Sequence, residues 1–327
     1  MKLFKNKKIL IIGDIMLDSY FFGNVERISP EAPVPIVDII NKENKLGGAA
    51  NVASNIKNLG GTPILCSVIG KDQNGEILLS LLKEQDILIN YIYQSKNRIT
   101  TNKTRIIGNN HQILRIDEEI KEDLKEDSDK FISLVISAIA SEKVDCILFQ
   151  DYDKGVLNKN IINIIIEKAN LLNTSILVDP KKKNFNYYKN IELFKPNFKE
   201  FKESINLNIS DKNELLKKGS IILHNRGINI IFITLSENGI FISYKKEKKI
   251  ISKIVPTTSR NIVDPSGCGD SVISVVSMLI NDIDIEEITK ISNLAGGIAC
   301  EKVGVVSIDK NRLLKEYYND KHTNYTK

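Results

Sequence analysis

Apolar positions along the chain fall into two patterns. Ile9–Ile12, Ile64–Ile69, Cys146–Gln150, Ser175–Asp179 and Ile230–Leu235 are short, nearly unbroken apolar runs, the mark of strands buried on both faces. Between them lie longer stretches with helical spacing: Ala49–Leu59, Gly75–Gln85, Asp129–Ala140, Lys159–Leu172, Asn213–Asn225 and Asp270–Leu279. Strand–helix alternation predicts an α/β fold, a doubly wound and mostly parallel sheet flanked by helices. Right-handed crossovers then gather the loops that bind ligands at the carboxyl edge of the strands.

Two segments interrupt the alternation. Residues 20–45 are rich in proline and β-branched side chains, and residues 87–117 read as strands and turns with little helix. Together they predict a small β-sheet lid standing over the carboxyl edge, of the kind that keeps water from a reaction. No repeat or low-complexity linker divides the chain. Residues 1–320 are therefore expected to form a single unit and 321–327 a polar, frayed tail.

Composition narrows the function. The 327 residues are 42% hydrophobic and 27% charged, enough for a large core in a soluble chain. A net charge of +5 is mild and dispersed, which argues against a nucleic-acid partner. The runs Lys181–Lys183 and Lys245–Lys249 read as solvated turns. Cys66, Cys146, Cys268 and Cys300 form no CxxC pair, so reduced thiols and a cytoplasmic location are expected. His111, His224 and His322 are too scattered for a metal cluster. The apolar run after the basic N-terminus is too short for a signal peptide or a membrane span.

Candidate chemistry is concentrated in a few loops. Asp264-Pro265-Ser266-Gly267-Cys268-Gly269-Asp270 leads straight into an apolar helix. Glycines at a helix N-terminus expose backbone N–H groups to an anion, and Asp270 beside them is placed to accept a proton. Anion hole plus base is the equipment of phosphoryl transfer to an alcohol, although the same residues also read as a turn with Asp270 capping a buried helix. Asp14 follows the first strand, where a carboxylate can hold sugar hydroxyls or cap a turn. Gly47-Gly48-Ala49-Ala50-Asn51 opens a helix. Arg105 and Arg115 on the lid suit a substrate phosphate, and equally a solvent-exposed hairpin. Lys154 lies in Asp151-Tyr152-Asp153-Lys154-Gly155, again after a strand. Asn197 and Glu200 are of the type that holds hydrated Mg²⁺. Thr234, Ser236 and Gly239 end a strand in a loop suited to nucleotide phosphates. No GxGxxG follows the first strand and no GxxxxGK[ST] occurs anywhere, so the common dinucleotide and P-loop signatures are absent.

These segments, in this order from about residue 8 to 310, resemble the ribokinase/PfkB family of carbohydrate kinases. The Gly-Gly-Ala-Ala-Asn-Val-Ala and Asp-Pro-Ser-Gly-Cys-Gly-Asp runs stand where its two signatures would be. Within the family, Gly-Asp-Ile-Met-Leu-Asp-Ser-Tyr-Phe-Phe-Gly and Arg-Ile-Ser-Pro-Glu-Ala-Pro-Val-Pro are similar to the heptose 7-phosphate kinases of ADP-heptose synthesis. The resemblance implies ATP-dependent transfer to O1 of D-glycero-D-manno-heptose 7-phosphate, with Asp270 as base and Gly267, Cys268 and Gly269 as anion hole. It implies that Asp14, Gly47, Gly48 and Asn51 hold the sugar, and that Arg105, Arg115 and Lys154 meet its phosphate. Thr234, Ser236, Gly239 and Asn293 would contact ATP, Asn197 and Glu200 would organise Mg²⁺ and phosphates, and Asp264 would serve a K⁺ site. Pro265 and Ser266 depart from the family pattern near that site. A homodimer through the lid is implied, with Phe21, Phe22, Val34 and Ile36 in contact. At this length the chain is expected to leave adenylylation to a separate nucleotidyltransferase. The alternatives are a kinase of ribose, fructose or a hexose phosphate, or a non-catalytic sugar- or nucleotide-binding regulator on the same fold.

Overall fold

A computed structural model describes residues 3–247, 249–258 and 260–325. Its larger sheet has nine strands among the described residues. In spatial order they are β13 (Lys249–Val255), β12 (Ile240–Lys246), β11 (Ile228–Thr234), β10 (Ile191–Phe194), β9 (Ser175–Asp179), β8 (Cys146–Gln150), β1 (Lys8–Gly13), β4 (Thr62–Gly70) and β5 (Ile92–Ser95). From β5 to β11 neighbouring strands are parallel; β12 and β13 close the far edge as an antiparallel hairpin. The chain leaves β1 for β4 on one side and returns to β8 on the other, so the order reverses between β1 and β8. In such sheets ligands bind at the carboxyl ends beside that reversal.

Strand alternation decides which core each side chain joins. Ile9 and Ile11 face the core under α1 (Ala49–Leu59), α2 (Gln73–Glu84), α7 (Cys268–Leu279), α8 (Ile285–Cys300) and α9 (Lys310–Tyr325). Leu10 and Ile12 face the opposite core under α3 (Ser128–Glu142), α4 (Lys159–Leu171), α5 (Phe198–Ile205) and α6 (Lys212–His224). All four are fully buried, and each contributes roughly 1.5–3 kcal/mol by leaving water. The five strand runs and six helices expected from the pattern all form.

A second sheet, ordered β3 (Pro35–Gly48), β2 (Ile15–Ile28), β6 (Asn102–Gly108) and β7 (His111–Glu118), forms the lid. The second lid segment starts later than expected. Ile92–Ser95 pairs with β4 at the edge of the main sheet, and only the later part of residues 87–117 belongs to the lid. Apolar alternation is the same in either sheet, and only pairing partners separate them. The expected tail is helical as far as Tyr325, because α9 packs on α8 through Leu313 and Tyr317; residues 326 and 327 lie outside the described residues.

Candidate active site

Helix α7 starts from Gly267, whose φ of 77° lies in the left-handed region that glycine adopts without strain. Cys268, Gly269 and Asp270 form its first turn; the Cys268 N–H reaches back to the Pro265 carbonyl at 3.4 Å, and the following N–H groups front the space before the helix. Asp270 is 5% exposed. Its Oδ2 accepts from Asn51 Nδ2 at 2.7 Å, and its Oδ1 accepts from Tyr152 Oη at 2.5 Å and Gln150 Nε2 at 3.2 Å. Burial raises this carboxyl, and Asp179 adds to the rise. The hydrogen bonds from Tyr152 and Asn51 and the charge of Lys195 oppose it, leaving the group at about 6. That value suits a base working near neutrality.

A cavity of about 520 Å³ opens in front of this helix end. It gathers residues widely separated in sequence: Gly267, Cys268, Gly269 and Asp270 from α7, Asn197 and Glu200 from the start of α5, Thr234, Ser236 and Gly239 after β11, and Asn293 from α8. Asn293 Nδ2 donates to the carbonyls of Val255 and Pro256 at 3.0 and 3.1 Å, tying α8 to the end of β13. Asn197 and Glu200 form a reciprocal capping box on α5.

Two lysines in the cavity were not expected there. Lys181, read from sequence as part of a solvated turn, lies on the cavity wall, paired with Glu200 and over the Tyr152 ring at 5.5 Å. Its neighbours Lys182 and Lys183 keep the expected surface position, pairing with Glu203 and Asp123. A charge run has no periodicity to mark one member as inward; Lys181 turns in because it follows β9 at the carboxyl edge. Lys195, at 3% exposure, pairs with Asp179 at 2.9 Å. Its ammonium lies 3.7 Å from where a Cβ on Gly269 would stand. Both lysines therefore approach the space fronted by the glycine N–H groups.

The cysteine expectation is corrected here. Cys268 and Cys300 are joined as a disulfide, Cα–Cα 5.8 Å, while Cys66 and Cys146 are free and buried. The pairing arises because packing of α7 on α8 brings the first residue of one helix beside the last residue of the other. A spacing of 32 residues carries no signal of it.

The proposed sugar residues divide differently. Asp14 is 1% exposed, and its carboxylate accepts from the backbone N–H groups of Tyr152, Lys154 and Val156 at 2.9, 3.3 and 3.1 Å. It thus pins the loop after β8. Burial raises this carboxyl as well. The carboxylate lying against the glycines is Asp18, four residues on in the same motif: a Cβ on Gly47 would stand 2.2 Å from its Oδ2. Gly48, at φ 59°, starts α1 and leaves 2.5 Å between such a Cβ and the Asp14 carbonyl. Asp18 Oδ1 pairs with Arg105 at 2.5 Å. Asp18 and Tyr20 share one face of the lid with Lys45, Lys103, Arg105 and Arg115.

That face carries four cations, Lys45, Lys103, Arg105 and Arg115, among the carboxylates of Asp18, Glu43 and Asp117. Arg105 and Arg115 stand directly opposite across β6 and β7, an unfavourable pairing unless an anion lies between or beside them. At present Arg115 is bound to Asp117, and Lys154 and Lys103 both hold Glu119. Burial alone would raise Glu119, but bonds from Lys154 and Lys121 hold it at about 2.

Metal ligation is limited. Among the described residues no group of three or more His, Cys, Asp or Glu side chains could hold an ion directly. Glu200 bonds to Lys181 and to the Asn197 N–H, so it fits a divalent ion carried by nucleotide phosphates only through water. Asp264 accepts from the Ser266 and Gly304 N–H groups at 2.9 and 2.7 Å, which links two loops behind the glycine-lined start of α7.

A doubly wound sheet with a β-lid, a buried carboxylate at a glycine-lined helix N-terminus and a large cavity beside it are the features of a kinase of small hydroxylated substrates. The chain belongs to the pfkB family of carbohydrate kinases, whose model matches residues 6–311, and is an ATP-dependent sugar kinase whose reaction calls for a divalent metal. It is 37% identical over 327 residues to the bifunctional protein HldE of Sulfurimonas denitrificans, covering 98% of this chain and 67% of that one. It is 36% identical over 312 residues to HldE of Helicobacter hepaticus, covering 95% and 64%. The chain thus spans about two thirds of the length of these relatives. Among solved structures, Escherichia coli phosphofructokinase-2 in complex with potassium superposes with a TM-score of 0.77 at 18% identity, covering 96% of this chain and 99% of that one. Arabidopsis thaliana ribokinase complexed with ribose and ATP gives 0.71 at 14%, covering 96% and 99%. At such identities these two establish the fold alone.

Proposed function

We propose that the chain transfers the γ-phosphoryl group of ATP to O1 of D-glycero-D-manno-heptose 7-phosphate, giving the 1,7-bisphosphate used in ADP-heptose synthesis. The observation that carries this reading is the position of Asp270. It stands at the glycine-lined helix end, with the 520 Å³ cavity beside it and Asn51 of the Gly-Gly helix bonded to it. ATP occupies the cavity with its phosphates toward Gly267, Cys268 and Gly269, between Lys181 and Lys195. The sugar lies under the lid against Gly47 and Asp18. Asp270 takes the proton of the acceptor hydroxyl as that oxygen attacks in line, and the glycine N–H groups and lysines meet the charge that develops. Mg²⁺ would be held by the phosphates and, through water, by Glu200 and Asn197, neutralising charge on the leaving group. No step is assigned to K⁺.

A phosphorylated acceptor is supported by the lid face carrying Lys45, Lys103, Arg105 and Arg115, with Lys154 near its edge, and by identity with the two HldE proteins over nearly the whole chain. A homodimer through the lid and a cytoplasmic location belong to the same proposal. Among the described residues no helix is long and apolar enough to cross a membrane.

The test is ATP turnover by the purified protein with heptose 7-phosphate, ribose, fructose and fructose 6-phosphate. Preference for the heptose phosphate supports the proposal. Preference for another acceptor keeps the chemistry and removes the pathway. Binding of sugar or ATP without turnover favours the regulator.

A further inference from the structure

The Asp270 carboxylate accepts more hydrogen bonds than its orientation alone requires. Two carboxylate oxygens offer about four lone-pair sites, and Tyr152, Gln150 and Asn51 fill three of them. The shortest bond comes from the Tyr152 phenol at 2.5 Å. Tyr152 is itself fixed at both ends of its side chain. Its backbone N–H is held by Asp14, and its ring lies beneath the Lys181 ammonium. We propose that Tyr152 is a positioning residue for the base: its phenol orients the Asp270 carboxylate, favours the ionised form, and leaves one lone pair to meet the acceptor hydroxyl. This rests on the reading of Asp270 as the base.

The surroundings keep the phenol a donor. Burial, then the charges of Asp270 and Asp179, hold Tyr152 well above its ordinary value, so it stays protonated across the working pH range. The charged groups facing Asp270 are Asp179 from the end of β9, Lys181 after it and Lys195 after β10; α1 contributes the neutral Asn51. Gln150 Nε2 has two hydrogens and donates to Asp270 and to Asp179, each at 3.2 Å, longer than the 2.5 Å bond from Tyr152. Tyr152 has no competing acceptor within this set. Removing its hydroxyl should therefore shift the titration of Asp270 upward.

Tyr152→Phe keeps the ring over Lys181 and deletes the donor. The ¹³C-carboxyl NMR titration of Asp270 in the free protein needs no substrate and has an expected midpoint of about 6. In the variant that midpoint should rise by about one pH unit. The acid limb of kcat/KM for heptose 7-phosphate should move with it, while the rate on the alkaline plateau stays within roughly threefold. Replacing Tyr152 by 3-fluorotyrosine, a stronger donor, should move the midpoint down. A midpoint unmoved in both variants overturns the proposal, as does a rate lowered by one constant factor at every pH, the outcome of a merely structural role. Asp270→Asn identifies the NMR signal. If that variant still phosphorylates sugar, the base reading fails separately, and the midpoint shift still decides the part played by Tyr152.

Discussion

On the proposed reading, Asp270 is the base and sets the pH behaviour of the site. A base works only when ionised, so kcat/KM should climb about tenfold per pH unit up to about 6 and level off above; a pH–rate profile checks this. Asp270→Asn should lower kcat by roughly 100- to 10,000-fold while calorimetry shows sugar and ATP still bound. The same substitution has an opposite effect on stability. A carboxyl near 3.9 in the unfolded chain and about 6 in the native one keeps its proton longer when folded. Native protein then binds more protons between about pH 4 and 6, so stability falls as pH rises through that window. Above it, the buried charge persists as a cost, on the order of 3 kcal/mol before the hydrogen bonds lost on substitution are set against it. Asp270→Asn should therefore melt about 2–4 °C higher than the parent at pH 8, with the gain gone at pH 4. A thermal melt that is lower in the variant at pH 8 would show that the hydrogen bonds outweigh the buried charge.

At the scale of elements, the site depends on how the loop after β8 is fastened. Asp14 receives three backbone N–H groups from that loop, which also carries Tyr152 and Lys154. Asp14→Ala would strand those donors in a buried place, at about 1–3 kcal/mol each. The expected result is a melting temperature lower by roughly 10 °C or more and faster amide exchange across residues 151–156; unchanged exchange there would show that the loop is held by other contacts. How much of this was legible follows from the kind of signal involved. The apolar runs of β1, β8 and β9 and the helix Ala49–Leu59 were readable because burial on both faces or on one stripe leaves a periodic trace. So was the glycine-lined start of α7, because Gly267 and Gly269 stand beside Asp270 in the chain. Pattern alone could not single out Asp18: it stands four residues from Asp14, a spacing that alternation does not separate, and only the pairing of β2 with β3 lays it against Gly47. Lys181, Lys195, Tyr152 and the Cys268–Cys300 pairing depend on which loops share the carboxyl edge, and that is fixed by strand order between distant segments. The strand β10, of four residues, and the helix α5, of eight, span few positions from which to read a period, whereas α8 went unread although its spacing is helical.

For the whole molecule, the lid poses a question that one chain does not answer. Alternation gives its sheet two unlike faces. Tyr20, Arg105 and Arg115 lie on the charged face, where Phe22 stacks on Tyr20 at 6.2 Å. Phe21, Ile106 and Leu114 are aligned on the other face, with Ile116 beside them. Leu114 and Ile116 are 52% and 45% exposed, and Val34 near the tip of the β2–β3 hairpin is 51% exposed. Clustered exposure of this kind on a sheet face marks an interaction surface. A second copy presenting the same stripe across a two-fold axis would bury it without a further partner. Of the residues expected in that contact, Phe21 and Val34 are available to it, whereas Phe22 belongs to the charged face. Sedimentation velocity should therefore find a species of twice the 36.8 kDa chain mass. Leu114→Glu would set carboxylates against each other at the centre of the stripe and should yield the monomer. ATP binding should survive, because the cavity is lined by none of these residues. The acceptor KM should rise several-fold, because in the proposed complex the sugar phosphate lies on the opposite face of the same four strands. A parent protein that sediments as a monomer, or a Leu114→Glu variant that remains dimeric, would rule this surface out as the interface.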